Sequence, residues 1–317
     1  MRAVQFFEYG DPTELQLVDV AMPQPTGTQV VVRVSATSIN PVDTETRLGR
    51  LKLLAGRRFP QGTGIDLAGV VELVGTDVTE FVPGDRVWGV KAAFFSRTTG
   101  AAAEFMAIDA GLLAALPTNL DIIESAALPA VGVTAIRAVR DEGGVTAGSS
   151  VLVRGAAGGV GSAAVQYAHW LGAHVTALAS ERNMQFVRDL GADIVLDRNL
   201  TPVAELGSFD VIIDAVGSDL LTYRRHLGKS GRMVTVAFSS IGSIAAIGFS
   251  AIYGRKRIRT FAGQPPRRLM AQLTEVVEAG GMVPVIEEIY PLEKIADAHR
   301  AAEAGGGRGK RVIRIRP

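Results

Sequence analysis

The stretch "VLVRGAAGGVGSAAVQYAHWLGAHVTALAS", beginning at Val151, constrains the fold of this chain more than any other. An apolar strand, Val151 to Val153, runs into Gly155-Ala156-Ala157-Gly158-Gly159-Val160-Gly161, then directly into a helical pattern and a second apolar run. Strand, glycine turn, helix and strand in that order predict a βαβ unit whose turn receives a pyrophosphate. Gly158 lets the backbone approach the phosphates, and Gly161 allows close packing of helix on strand. The helix N-terminus offers unpaired N–H groups and the positive end of its dipole. Ala156 stands where the G-x-G-x-x-G pattern has its first glycine, so the flanking strand and helix carry the assignment. Gly155, Ala157, Gly158, Gly159, Val160 and Gly161 are the candidate cofactor-binding residues here. The same residues also permit a plain βαβ turn without a ligand.

The neighbouring sequence extends the pattern. From Ser150 onward short apolar strands alternate with helical stretches: "HVTALA", "RNMQFVRDLG", "DIVLD", "FDVIIDAVG", "DLLTYRRHLG" and "GRMVTVAF". Such alternation predicts an α/β doubly wound parallel sheet. Before "LPTNLDIIESAAL" the texture differs. "QVVVRVSATSI" and "DLAGVVELVG" read as strands between the turns "PQPTG", "NPVD" and "VPGD". The end returns to mixed structure, with helices over Arg268 to Ala279 and in "PLEKIADAHRAAEAG", and a last strand in "KRVIRIR". A length of 317 residues exceeds one ordinary core. The expected division is residues 125–262 for the doubly wound domain, inserted in a β-rich domain of residues 1–124 and 263–317.

Composition narrows the chemistry. With 33 basic and 32 acidic residues the net charge is +1, which gives no reason to expect nucleic acid or an anionic membrane as partner. No apolar run reaches the roughly 18–20 residues a membrane span needs. "MRAVQFFEYG" lacks the apolar core of a secretory peptide, so a cytoplasmic location is expected. The absence of cysteine excludes disulfides, thiolate catalysis and Cys-ligated zinc. His169, His174, His226 and His299 fit no metal-binding spacing and read as surface or packing residues.

The second strand of the βαβ unit ends in "TALASERN". NAD enzymes place an acid there, about 20 residues after the glycines, to hold the ribose 2′-hydroxyl. Here the position falls on Ser180, followed by Glu181 and Arg182. A small hydroxyl beside a guanidinium suits a 2′-phosphate and favours NADPH; Glu181, one residue on, would favour NADH if it takes that place. Asp214, Val216 and Gly217 close the fourth strand, where a doubly wound sheet meets its ligand.

Five ordered segments, "SINPVDTETRLG", "GTGIDLAGVVELVGTDVTEFVPGDRVWG", "AALPAVGVTAIRAV", "VLVRGAAGGVGSAAVQYAHWLGA" and "GGGRGKRVI", resemble the medium-chain dehydrogenase/reductase superfamily over essentially the whole chain. Within it the sequence is most similar to the zinc-independent quinone oxidoreductase-like branch, which includes enoyl and alkenal reductases. The resemblance implies a Rossmann domain inserted in a GroES-like domain. Zinc-dependent relatives take their metal on a Cys, a Gly-His-Glu stretch and a later Cys or Asp. The matching places here are Asn40 to Asp43, Gly64-Ile65-Asp66 and a position near Ala130. Ile65 cannot ligate, so no metal is expected.

The resemblance also implies roles for further residues. Asn40 and Thr134 fall at the nicotinamide end of the cleft and are the catalytic candidates. Asn40 is equally a turn residue before Pro41, and Thr134 equally a helix-interior hydroxyl bonded to the preceding turn. Asp43 reads as a cap of the following helix, and Asp66 as an anchor of its turn. "FAGQPP", with Phe261 and Gly263, matches the segment that meets the nicotinamide carboxamide. Lys310, with Arg308, matches a Gly-Lys that returns to the cofactor and is a candidate phosphate contact. Trp88 with Phe94 and Phe95 reads as either a flat aromatic pocket or core. The aliphatic run from Ile241 to Ile252 is the expected homodimer interface.

The function that follows is an NADPH-dependent oxidoreductase that passes hydride to a quinone or an α,β-unsaturated carbonyl. Two other readings stay open: an enoyl-thioester or tailoring reductase of a bacterial biosynthetic pathway, and an NADPH-binding structural or sensor protein with little turnover.

Overall fold

The computed structural model describes residues 1–55, 58–91, 100–237, 246–248, 250, 258–261 and 267–316. The chain first lays down β1 (Arg2–Phe6), β2 (Gln16–Asp19) and β3 (Gln29–Ser38), then the helix Pro41–Arg47. Strands β4 (Gln61–Gly62), β5 (Asp66–Val74), β6 (Arg86–Val90), β7 (Phe105–Asp109) and β8 (Leu113–Ala115) follow. Next come β9 (Ser150–Arg154), β10 (His174–Ala179), β11 (Ile194–Asp197), β12 (Phe209–Asp214), β13 (Leu227–Thr235) and β14 (Ile258–Arg259). The last two strands are β15 (Ile286–Pro291) and β16 (Lys310–Arg314).

The chain divides into two compact units, one of residues 1–130, 263–280 and 284–317, the other of residues 131–262 and 281–283. In the first unit, among the described residues, a sheet runs β15-β16-β3-β5-β6-β8 with β7 also on β3, and a smaller one runs β2-β1-β4. The C-terminal strand β16 lies antiparallel to β3, which joins both ends of the chain in one sheet. Val30, Val32 and Val34 alternate along β3 and pack with Leu67, Val87, Met106 and Ile313 in a closed core. Each such side chain contributes about 1.5–3 kcal/mol by leaving water. Trp88 belongs to this interior: it is fully buried, and its Nε1 donates to Thr274 Oγ1 at 2.9 Å. Of the two readings of Trp88, the core reading is the one realised; Phe94 and Phe95 lie outside the described residues.

The second unit is the doubly wound one. Its sheet order is β11-β10-β9-β12-β13-β14, parallel at every pairing. Val151, Leu152 and Val153 are all fully buried, as a continuous apolar run must be when helices cover both faces of a parallel sheet. Leu152, Ile212 and Met233 form the centre of its core with Leu178, Phe209 and Leu220. Of the aliphatic run expected at a subunit interface, only residues 246–248, Ser250 and the flanking strand β14 are described. No helix among the described residues is long and apolar enough to cross a membrane.

Candidate active site

In the second unit the parallel register aligns the carboxyl ends of four strands. Arg154 pairs with Leu178 of β10 and with Asp214 of β12, and Asp214 pairs with Thr235 of β13. The residues just beyond this row are the ones the sequence marked: the turn from Gly155, Ser180 after β10, Val216 and Gly217 after β12, and Phe261 after β14. Gly155 turns the chain with φ 72°, a conformation that costs glycine nothing. Gly158 then caps the helix Gly159–Trp170 in an extended conformation. A Cβ on Gly161 would collide with the carbonyl oxygen of Gly155, so only glycine lets helix and turn approach this closely. The first N–H groups of that helix have no acceptor within it. A bare backbone cradle facing a positive helix end fits a pyrophosphate.

A buried ion pair holds the row together. Arg154 Nη1 lies 2.5 Å from Asp214 Oδ1 and 2.8 Å from the Ser218 carbonyl, with its guanidinium carbon 3.6 Å from the Tyr223 ring centroid. Asp214 also accepts from Gly217 N at 2.9 Å and from Thr235 Oγ1 at 2.7 Å. The pair thereby fixes the start of the glycine turn and the Val216–Gly217 backbone relative to each other. Phe261 stacks under Arg137, whose guanidinium carbon is 4.3 Å from its ring centroid. Thr134 sits half-buried on the helix Pro129–Ile136. Ser180 precedes the short turn Glu181–Asn183, and Glu181 and Arg182 are exposed. Gly263 lies outside the described residues.

The first unit carries a buried polar network centred on Asp66, the first residue of β5. Its Oδ2 accepts from Ser38 Oγ at 2.5 Å, Asn40 Nδ2 at 2.8 Å and Lys310 Nζ at 3.3 Å, while Oδ1 accepts from the Ala130 N–H at 2.6 Å. Lys310 also donates to the Ile39 carbonyl at 2.7 Å and to Asn40 Oδ1 at 2.6 Å. Burial pushes the Lys310 ammonium down from its usual range, and Asp66 and Asp43 oppose that push. Asp43 is the reciprocal cap expected of it: its Oδ2 accepts from Asn40 N at 2.9 Å, and its Oδ1 from Gly64 N at 3.0 Å. Burial raises the Asp43 carboxyl to about 6, against the lowering effect of Asn40 N–H and Lys310. Asp43 also lines a small cleft of this unit with Val42, Thr46, Thr63, Ile65 and Lys91.

Comparison with known proteins decides the family. Residues 26–118 match the family described as "Alcohol dehydrogenase GroES-like domain", and residues 190–313 that described as "Zinc-binding dehydrogenase". The chain is 30% identical over 325 residues to "Quinone-oxidoreductase homolog, chloroplastic" of Spinacia oleracea, with 99% of this chain and 98% of that protein covered. It is 32% identical over 326 residues to "NADPH-dependent alkenal/one oxidoreductase, chloroplastic" of Arabidopsis thaliana, with 99% and 79% covered. The solved quinone oxidoreductase from Coxiella burnetii superposes with a TM-score of 0.87 at 29% identity, covering 100% of this chain and 99% of that one. The chain belongs to the medium-chain dehydrogenase/reductase superfamily. It is an oxidoreductase.

As a member of this superfamily it departs from the zinc-dependent members at the residues themselves. Ile65 presents hydrocarbon where those members present histidine, and the chain has no cysteine. Among the described residues no three His, Asp or Glu side chains are grouped to hold a metal. Asp66 serves as the anchor expected of it, but of far more than a turn. Asn40, 5% exposed, has its amide nitrogen on Asp66 and its oxygen on Lys310, so its orientation is fixed by tertiary contacts. Lys310, read from the sequence as a phosphate contact, directs its three ammonium hydrogens at Ile39, Asn40 and Asp66 instead. The reason is the β16–β3 pairing, which brings Lys310 alongside the end of β3. Ser38, Arg154 and Lys91 escaped the sequence reading. Arg154 ends an apolar strand and Lys91 follows another, and a lone cation at the end of a buried strand is the signal that marks both.

Proposed function

We propose that this protein is an NADPH-dependent reductase of quinones or α,β-unsaturated carbonyl compounds. The observation that carries the reading is the convergence of the Gly155–Gly161 cradle, Ser180 and the Val216–Gly217 backbone on one carboxyl edge of the parallel sheet. That edge is where a doubly wound sheet takes a dinucleotide. The helix N-terminus at Gly159, Val160 and Gly161 holds the pyrophosphate, with Gly155, Ala157 and Gly158 shaping the approach. Ser180 and Arg182 hold the 2′-phosphate; Phe261 and Gly263 meet the carboxamide. NADPH supplies a hydride from its nicotinamide when bound.

The side chains assigned to the chemistry are Asn40 in the first unit and, separately, Thr134 in the second. Asn40 is pre-oriented by Asp66 and Lys310, so a group that meets it meets a fixed amide. Acceptors that are already electrophilic suit a site that polarises by hydrogen bonding. The names of the spinach and Arabidopsis relatives, a quinone-oxidoreductase homolog and an alkenal/one oxidoreductase, support these two acceptor classes. The reading includes a homodimer, which a solution mass equal to the single 33.4 kDa chain would overturn.

Stopped-flow oxidation of NADPH against a panel of quinones, enones and acyl-thioesters tests the reading. Turnover with quinones or enones is expected. Turnover confined to acyl-thioesters moves the assignment to an enoyl-thioester reductase, and NADPH binding with no turnover removes the enzyme reading. Ser180→Asp is expected to shift preference toward NADH; an unchanged NADPH/NADH ratio contradicts the 2′-phosphate site.

A further inference from the structure

In the second unit, the turn after β11 carries a cation beside Ser180. β10 and β11 run parallel, with Leu178 opposite Leu196 and Ala179 opposite Asp197. The Arg198 N–H continues that ladder by donating to the Ala179 carbonyl at 2.8 Å, so Arg198 stands alongside Ser180, one residue past each strand. The turn that follows is fixed. Asp197 Oδ1 accepts from Asn199 N at 2.7 Å, and the Asp197 carbonyl accepts from Leu200 N at 3.2 Å and Thr201 N at 2.9 Å. Arg198 is exposed, and among the described residues nothing pairs with its guanidinium. Arg182, by contrast, already makes a contact within the protein.

We propose that Arg198 is a specificity-determining residue of this chain, completing with Ser180 and Arg182 the site for the 2′-phosphate of NADPH. The proposal rests on the NADPH reading above. Strand order carries it. Outward from β9 come β10 and then β11, the edge of the sheet. A dinucleotide offers its groups in the same order: the pyrophosphate at the glycine turn after β9, then the adenosine ribose at the residue that ends β10. A phosphate on the ribose 2′-oxygen places its charge at that strand end, and the next strand lies only ~4.8 Å away. The residue waiting at the end of that next strand is Arg198.

Charge points the same way. A phosphate monoester carries about two negative charges at neutral pH. Ser180 supplies a hydroxyl and no charge, while Glu181 and Arg182, adjacent and opposite in sign, bring no net charge to their turn. Asp197 is 9% exposed, and its carboxylate is committed to the Asn199 N–H. An unpaired guanidinium supplies the missing positive charge, with parallel N–H donors that phosphate oxygens accept two at a time. A bare ribose 2′-hydroxyl, as in NADH, calls for a carboxylate instead. Arg198 therefore acts on the choice between the two cofactors.

The test is isothermal titration of the full-length protein with 2′,5′-ADP and with 5′-AMP, in wild type, Arg198→Gln and Arg198→Lys. The two nucleotides differ only in the 2′-phosphate. Wild type should bind 2′,5′-ADP the more tightly. Arg198→Gln should weaken 2′,5′-ADP by at least about tenfold and leave 5′-AMP unchanged. Arg198→Lys keeps the charge without the fork and should fall between the two. The position is exposed, so neither variant opens the core. Equal 2′,5′-ADP affinity in wild type and Arg198→Gln overturns the role of Arg198 and leaves the NADPH reading standing. Equal weakening of both nucleotides also overturns it, because Arg198 would then not meet the 2′-phosphate. A wild type that does not distinguish the two nucleotides overturns the NADPH preference and this proposal with it.

Discussion

Lys310 Nζ stands 3.3 Å from Asp66 Oδ2 across 244 positions of sequence, with side-chain exposures of 5% and 0%. An isolated charge in such a place would be neutralised by its surroundings. Here the carboxylate has four donors and the ammonium three acceptors, so each charge is both paired and hydrogen-bonded. The pair ties β5, β16 and the segment after β3 at one point, and Asn40 is held between its two members.

Removing one member leaves the other buried and uncompensated. Lys310→Met is expected to destabilise the first unit by about 3–5 kcal/mol, and Asp66→Asn by a similar amount. The double variant should lose less than the sum. The chain has one tryptophan in each unit, Trp88 and Trp170, so urea unfolding in a Trp170→Phe background reads the first unit alone. Additive losses would show that the pair is not coupled.

Arg154 presents the corresponding case in the second unit. Arg154→Met strands the Asp214 carboxylate and frees the Val216–Gly217 backbone. The expected cost is about 3–5 kcal/mol, read by Trp170 in a Trp88→Phe background. Arg154→Lys should recover little, since an ammonium neither reaches Asp214 and Ser218 together in fork geometry nor stacks on Tyr223.

Gly161→Ala drives a methyl group into the Gly155 carbonyl and parts the helix from the turn. NADPH affinity should fall by at least about tenfold, which is about 1.4 kcal/mol, measured by fluorescence titration. The Trp88-reported unfolding of the first unit should stay unchanged. Equal affinity for wild type and variant would remove the cradle from the cofactor site.

His299, on the helix Ile295–Ala304, is 1% exposed, and burial with Arg47 nearby lowers it to about 3. This lies below the ordinary value of 6.5, so the unfolded chain binds the proton first as pH falls. Stability from this group is complete above about pH 7 and is lost from about 6.5 downward. His299→Gln does not titrate. At pH 5 it should gain about 2 kcal/mol relative to wild type, compared with their difference at pH 8. Asp43, raised to about 6, acts in the opposite sense but equally in both proteins, so the comparison isolates His299. Parallel pH–stability curves would contradict the assignment.

The elements that the sequence displays are those whose cause is local. "HVTALA" became β10 over the same residues, and "GVGSAAVQYAHWLG" became the helix Gly159–Trp170, because apolar periodicity and glycine positions act within a few residues. Asp43 capping its helix is likewise a contact over three positions. Asp66 was visible as an acid at the entry to a strand, but its partners were not. Lys310 shows the limit most clearly: in "GRGKR" it reads as a cation on a glycine-rich loop, yet pairing of β16 with β3 turns it inward.

The amino-acid sequence by itself determined the two-part α/β architecture, the glycine cradle and the chemistry barred by Ile65 and the missing cysteines. Each of these depends on residue type, spacing or backbone freedom, which neighbours in sequence already set. The tertiary structure alone decided which charges share the interior: Lys310 with Asp66, and Arg154 with Asp214. The energy of a charge depends on its distance to partners and on the water excluded around it, and both are fixed only when distant strands pack.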